Sequence, residues 1–172
     1  LVFLINIYNN LVSLRQKVKN AWSQIEIQLQ RRFDLIPNLV ETVKGYMGHE
    51  SNILTKVAEL RTAWANAKTV AEKSNLDTQL SDTLKTIMAV SEAYPDLKAN
   101  QNFTSLQQEL ANTENKISYS RQFYNDIVTT YNTKIQVFPS NIVAGMFNFT
   151  QETLFEVDNP EARKNVKVDF NN

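Results

Sequence analysis

Apolar residues recur along this chain at steps of three and four. From Leu11 the series passes through Leu14, Val18, Trp22, Ile25, Leu29, Phe33 and Ile36. That spacing is the period of a helix with one apolar face, not the alternation of a strand. It resumes at Val40, Val43, Met47, Leu54, Val57, Leu60 and Trp64, with Glu50 as its one polar interruption. A third run holds Leu76, Leu80, Leu84, Ile87, Val90 or Ser91, and Tyr94. The fourth runs from Phe103 through Leu106, Leu110, Thr113, Ile117, Ser120, Tyr124, Ile127, Tyr131 and Ile135 to Phe138. Its mean step is about 3.5, the period of a coiled-coil seam. Thr113 and Ser120 stand where leucine is expected. Small side chains there bring two helices close, and a polar pocket with Glu114, Asn115 and Arg121 is the alternative.

Prolines set the boundaries, because the residue before a proline is pushed out of the helical region. Ile36, Tyr94 and Phe138 precede prolines, and Asp96 to Gln101 reads as a connector. Pro37 either opens a new helix or kinks a continuous one; the turn is the reading adopted. It gives helices of about 27, 29, 21 and 36 residues, at about 1.5 Å per residue. Gly45 and Gly48 then fall inside the second helix, where they permit close packing or a bend. The break between the second and third helices is placed near Lys73-Ser74-Asn75, where serine or asparagine can cap the Leu76 run. The fold predicted is all-α, an antiparallel up-and-down four-helix bundle with long helices. Its shared core holds Trp22, Ile25, Leu29, Val57, Leu84, Leu110, Ile117 and Ile127.

The ends differ from the body. Leu1 to Tyr8 is apolar apart from Asn6, and Arg15, Lys17 and Lys19 follow with no acid before Glu26. Eight residues fall short of the roughly 20 that span a bilayer. The run is either the first turns of a soluble bundle or the stub of a membrane helix, whose cationic flank would favour the cytoplasmic side. Residues 9–157 form the bundle with an aromatic end segment. Residues 158–172, with the alternating Lys164-Asn165-Val166-Lys167-Val168, read as an extended tail, since a lone strand has no partner.

Composition narrows the chemistry. In 172 residues, 18 cations balance 18 anions, so the basic excess of a nucleic-acid binder is missing. The absence of cysteine removes disulfides and thiolate chemistry. His49 is the one histidine and has Tyr46, not glutamate, three residues before it, so the Glu-x-x-His motif of di-metal bundles is excluded. On a helix His49 and Glu50 would diverge by about 100° and could not share one ion. With no Gly-x-Ser-x-Gly elbow and no phosphate-binding glycine loop, neither catalytic nor cofactor-binding residues are assigned, and no enzyme is expected.

One segment stands apart. Between Phe138 and Phe155 the aromatic rings crowd into a stretch too short to be an equal partner helix. It either caps the open end of the bundle or binds a partner, and Phe147, Phe149 and Phe155 are the candidate partner-binding residues. As a cap, Phe147 is expected to point inward; Phe149 is left open, because on a helix the two rings diverge by about 200°.

Taken together, several patches resemble the LemA family of bacterial membrane-anchored proteins. They are Arg31-Arg32-Phe33-Asp34-Leu35-Ile36-Pro37-Asn38-Leu39-Val40, Val43-Lys44-Gly45-Tyr46, Tyr94-Pro95-Asp96-Leu97-Lys98-Ala99-Asn100, Thr113-Glu114-Asn115, Tyr124-Asn125 and Phe138-Pro139-Ser140-Asn141. The resemblance covers about residues 8 to 157. It implies an N-terminal membrane helix followed by a helical bundle, a family with no known enzymatic activity, and one branch tied to magnetosome membranes. It favours the membrane-stub reading of Leu1 to Tyr8. The expectation is a single-pass cell-membrane protein with a cytoplasmic bundle, working by protein–protein interaction with an unidentified partner. A small-molecule sensor or enzyme with a site between helices, and a structural homo-oligomer, are the alternatives.

Overall fold

A computed structural model describes residues 1–155, and among these every regular element is helical. The tail expected over residues 158–172 lies outside the described residues. Seven helices follow in order: α1 (Val2–Asp34), α2 (Ile36–Lys44), α3 (Ser51–Asn66), α4 (Val70–Ser91), α5 (Pro95–Lys98), α6 (Gln101–Lys134) and α7 (Ser140–Met146).

The first expected helix and the start of the second are one kinked rod. Leu35 keeps helical dihedrals (φ −77°, ψ −16°) between α1 and α2, and its carbonyl still accepts from Leu39 N–H at 3.0 Å. Pro37 lies in the first turn of α2, where its missing N–H costs little. Pro37 is therefore a kink rather than the turn adopted from the sequence. The reversal comes instead at Gly45 to Glu50, between α2 and α3, so Gly45 and Gly48 end a helix instead of lying within one. His49 is exposed in that loop.

The break between α3 and α4 is also displaced. It falls at Ala67 to Thr69, not at Lys73 to Asn75. The Thr69 side chain accepts from Glu72 N–H at 3.1 Å, and the Glu72 carboxylate accepts from Lys68 N–H at 3.4 Å. Thr69-Val70-Ala71-Glu72 is thus close to a capping box, which starts the helix a turn earlier than serine or asparagine would. At the next corner Asn100 caps α6 by accepting from Phe103 N–H at 3.1 Å, and one helical turn, α5, occupies the expected connector.

Helices α1 and α6 form the long pair and run in opposite directions: Tyr8 near the start of α1 meets Phe147 beyond the end of α6, whereas Trp22, farther along α1, meets Tyr124, earlier along α6. Helices α3 and α4 cover only the far half of this pair. Their connecting turn sits level with Glu26, which bonds Lys73 at 2.6 Å. There Phe33 and Trp64 stack at 4.7 Å between ring centres. Ile25, Leu29, Val57, Leu84, Leu110 and Ile117 are buried in one core. Trp22 and Ile127, expected with them, are only partly buried, because they lie on the half that α3 and α4 do not reach. Phe138, read as the end of the fourth seam, is 79% exposed, since α6 stops at Lys134.

Candidate functional site

On the half of the α1–α6 pair left uncovered, the chain returns as a strap. Helix α6 carries the dipeptide Tyr-Asn twice, as Tyr124-Asn125 and Tyr131-Asn132. Seven residues apart, the two copies face the same way. The strap, from Phe149 to Phe155, lies along them in the opposite direction. Asn132 donates to the Glu152 carbonyl at 3.0 Å and accepts from Glu152 N–H at 2.9 Å. Asn125 repeats the two-way bond with Phe155, both at 2.8 Å. Tyr131 and Tyr124 donate to the carbonyls of Thr150 and Thr153, at 2.8 and 2.7 Å. The asparagine side chains thereby satisfy backbone groups of the strap as a neighbouring strand would. The spacing fits: seven helical residues rise about 10.5 Å, and three extended residues cover about 10 Å.

Burial and carbonyl contact also set the chemistry of these tyrosines. Burial pushes the Tyr124 phenol up to about 12, with a smaller push from Glu152. Tyr131 is raised for the same two reasons, against the pull of Arg15. Both phenols stay protonated and act as donors.

Two strap rings are anchors. Phe155 is fully buried against Trp22, and Phe149 is buried against Tyr8. The Arg15 guanidinium sits 4.6 Å from the Phe149 ring centre, and Arg121 lies 6.0 Å from that of Phe155, within cation–π range. Phe147 touches Tyr8 at 4.7 Å but is 53% exposed. The expected inward turn of Phe147 is therefore reversed: Phe149 goes in and Phe147 stays half out. The switch follows from Asn148, which takes a left-handed φ of 57° just after α7, a conformation asparagine tolerates. Of the three candidate partner-binding residues, Phe147 alone offers a substantial exposed surface. The Tyr-Asn repeat was readable in the sequence as a heptad echo, but nothing local marks its target.

A second polar feature lies under α3 and α4. Arg32 and Asp77, 1% and 3% exposed, bond at 2.7 Å, and Arg32 also donates to the Ser81 hydroxyl at 2.9 Å. Burial pushes the Asp77 carboxyl above its usual range, opposed by Arg32 and Arg121. Arg121 and Glu114 act on Asp77 through space, and Thr113 bonds within its own helix to the Leu110 carbonyl. Phase gives this pair away: Arg32 stands three residues after Leu29 and four before Ile36, and Asp77 three before Leu80.

Several open clefts remain among the described residues, and two of them are the roomiest described. One, of about 600 Å³, is lined by Glu26, Gln30, Arg61, Trp64 and Lys73 among others. The other, of about 640 Å³, runs between α1 and α6 and is lined mainly by apolar surface of Leu14, Ala21, Phe123 and Ile127. Among the described residues no cluster of three or more His, Cys, Asp or Glu side chains could hold a metal ion, and no helix is long and apolar enough to cross a membrane.

Comparison with known proteins adds a family. A model described as the LemA family matches residues 21–170. Protein LemA of Metamycoplasma hominis is 26% identical over 156 residues, covering 89% of this chain and 70% of that protein. Magnetosome protein MamQ 2 of Paramagnetospirillum magneticum is 24% identical over 175 residues, covering 87% of this chain and 64% of that protein. Magnetosome protein MamQ of Magnetospirillum gryphiswaldense is 21% identical, covering 86% of this chain and again 64% of the relative.

Proposed function

The chain belongs to the LemA family, and from that membership we propose a membrane-anchored helical bundle that works by holding another protein, as a scaffold or adaptor. The observation that carries the anchor is at the start of α1. Leu1, Val2, Phe3, Leu4 and Ile5 are consecutive, apolar and exposed. Leu1 caps α1, and the four helical residues Val2 to Ile5, stepping by about 100°, point to every side of the helix. A protein groove covers one side of a helix; a bilayer covers all of them. Relatives named as magnetosome proteins support association with a membrane. The cationic flank of Arg15, Lys17 and Lys19 favours a single pass with the bundle in the cytoplasm.

In this reading the rod α1–α2, with α3, α4 and α6, forms the four legs of an antiparallel up-and-down bundle, and the role is not catalytic. The charged groups buried deepest, Arg32 and Asp77, face each other and Ser81 instead of an open cavity. The apolar cleft between α1 and α6 is the surface offered to a protein partner. A photo-crosslinking residue in place of exposed Phe123 should give one reproducible adduct in the native membrane, and the same residue at exposed Asn112 should not. Equal labelling at both positions overturns the adaptor reading. Carbonate washing should leave the protein in the membrane fraction, and a reporter fused after Asn172 that works only outside the cytoplasm should stay silent.

A further inference from the structure

Two distant stretches of the chain meet at one end of the molecule, and neither carries a charge. From Leu1 to Leu14 and from Ile135 to Gln151 there is no Asp, Glu, Lys or Arg. Tyr8 and Phe147 join them, with ring centres 4.7 Å apart. Helix α7 buries Ser140, Val143 and Ala144 against the bundle. Beside exposed Asn141, its other side shows apolar surface: Ile142 is 52% exposed and Met146, one turn on, 65%, with Phe138 exposed just before the helix. Helix α1 continues past this level, since Leu1 lies seven residues, or about 10 Å, beyond Tyr8 along the axis. Around the charge-free end the nearest charges are the cations Arg15, Lys17, Lys19 and Lys134 and the acids Glu152 and Asp126, so cations outnumber acids there.

We propose that α7 and Phe138 form a second membrane contact, seated sideways in the headgroup region of an anionic bilayer beside the point where α1 enters it. Three observations select lipid over a protein partner. The exposed apolar surface of α7 adjoins a helix end exposed on every side. Its rings and thioether lie at the level where aromatic side chains favour the membrane interface. The rim behind it carries more cations than acids, which complements anionic headgroups. The contact rests on the anchor reading above. It adds a fixed tilt and rotation of the bundle, because one helix leaves the bundle free to swivel whereas two contacts do not.

The absence of native cysteine makes the test direct. Single fluorophores are placed through Met146→Cys, and as a control through Asn112→Cys on the far part of α6. The chain is mixed with vesicles of phosphatidylcholine and phosphatidylglycerol that carry a nitroxide-labelled lipid. Quenching at position 146 and none at 112 is the expected result. The triple variant Phe138→Ser, Ile142→Ser, Met146→Ser should partition at least about tenfold more weakly, equivalent to about 1.4 kcal/mol, with an unchanged melting temperature. A chain that floats with the vesicles but shows no quenching at 146 overturns the α7 contact and leaves the anchor standing. A chain that never floats overturns both. Protection of the 146 label without vesicles, together with elution as a dimer, assigns the face to a second copy and overturns the lipid contact.

Discussion

Arg32 and Asp77 stand 45 residues apart in sequence and 2.7 Å apart in space, on α1 and α4, with almost no exposure to water. Each is on the apolar side of its own helix, so the pair fixes the register of α4 against α1. A shift of one turn would bury two unpaired charges.

Breaking this pair from one side should be costly. Arg32→Met or Asp77→Leu alone is expected to destabilise by about 3–5 kcal/mol, because the remaining charge is left buried without a partner. The double variant should recover most of that loss. Chemical denaturation of the four proteins in the cycle measures it, and strictly additive losses would show that the two side chains do not act as a pair.

The asparagine clamps should be separable from the rest of the fold. Asn132→Ala frees the backbone of Glu152, and Asn125→Ala frees that of Phe155. Each is expected to cost about 1–3 kcal/mol and to speed amide exchange at the released N–H by at least about tenfold, with α3 and α4 amides unchanged. Slow exchange at Phe155 in Asn125→Ala would show that the amide is protected by something else.

The phenylalanines of the end segment should divide by burial. Phe155→Ala is expected to cost about 3–5 kcal/mol. Phe147→Ala, half exposed and held by Tyr8, should cost about 1 kcal/mol or less. A melting series orders them, and equal costs would contradict the different packing of the two rings.

Alkaline pH should loosen the strap. The Tyr124 phenol, ordinarily near 10, is pushed up to about 12 by burial. The folded protein then holds that proton more tightly than the unfolded chain. Stability contributed by the protonated phenol is full below pH 10 and declines as pH rises from about 10 to about 12. Tyr124→Phe should lose the Thr153 bond, about 1 kcal/mol, and show a flatter decline over that window. Urea midpoints between pH 9 and 12 supply the comparison.

The sequence made the seam legible where helices pack on both sides. Ile25, Leu29, Leu110 and Ile117 follow the heptad into the core. Trp22 and Ile127 follow the same heptad, yet periodicity says which side of a helix is apolar, not how far the neighbouring helices extend. At the α3–α4 break Thr69 and Glu72 act as a pair four positions wide, whereas single cap residues point to Ser74 and Asn75. The rod through Pro37 keeps its apolar phase from Phe33 to Leu39, and that continuity was the sign of a kink. The strap was illegible for another reason. Tyr124, Asn125, Tyr131 and Asn132 look like ordinary seam and flank residues, and their partners are backbone groups whose position no side-chain pattern encodes. The candidate Phe149 and Phe155 were found as rings, but their place inside depends on that backbone route.

The match between α6 and the strap behaves like a gear with fixed teeth. Seven residues of helix engage three of extended chain, and both ends of the engagement are two-way amide bonds. One residue inserted between Asn125 and Asn132 would turn the second clamp by about 100° and disengage Glu152. One residue added between Glu152 and Phe155 would put the wrong carbonyl opposite Asn125. Length changes that keep the clasp closed must come in matched sets, seven in the helix for three in the strap. Loops such as Gly45 to Glu50 are under no such rule, and variation in chain length should gather there.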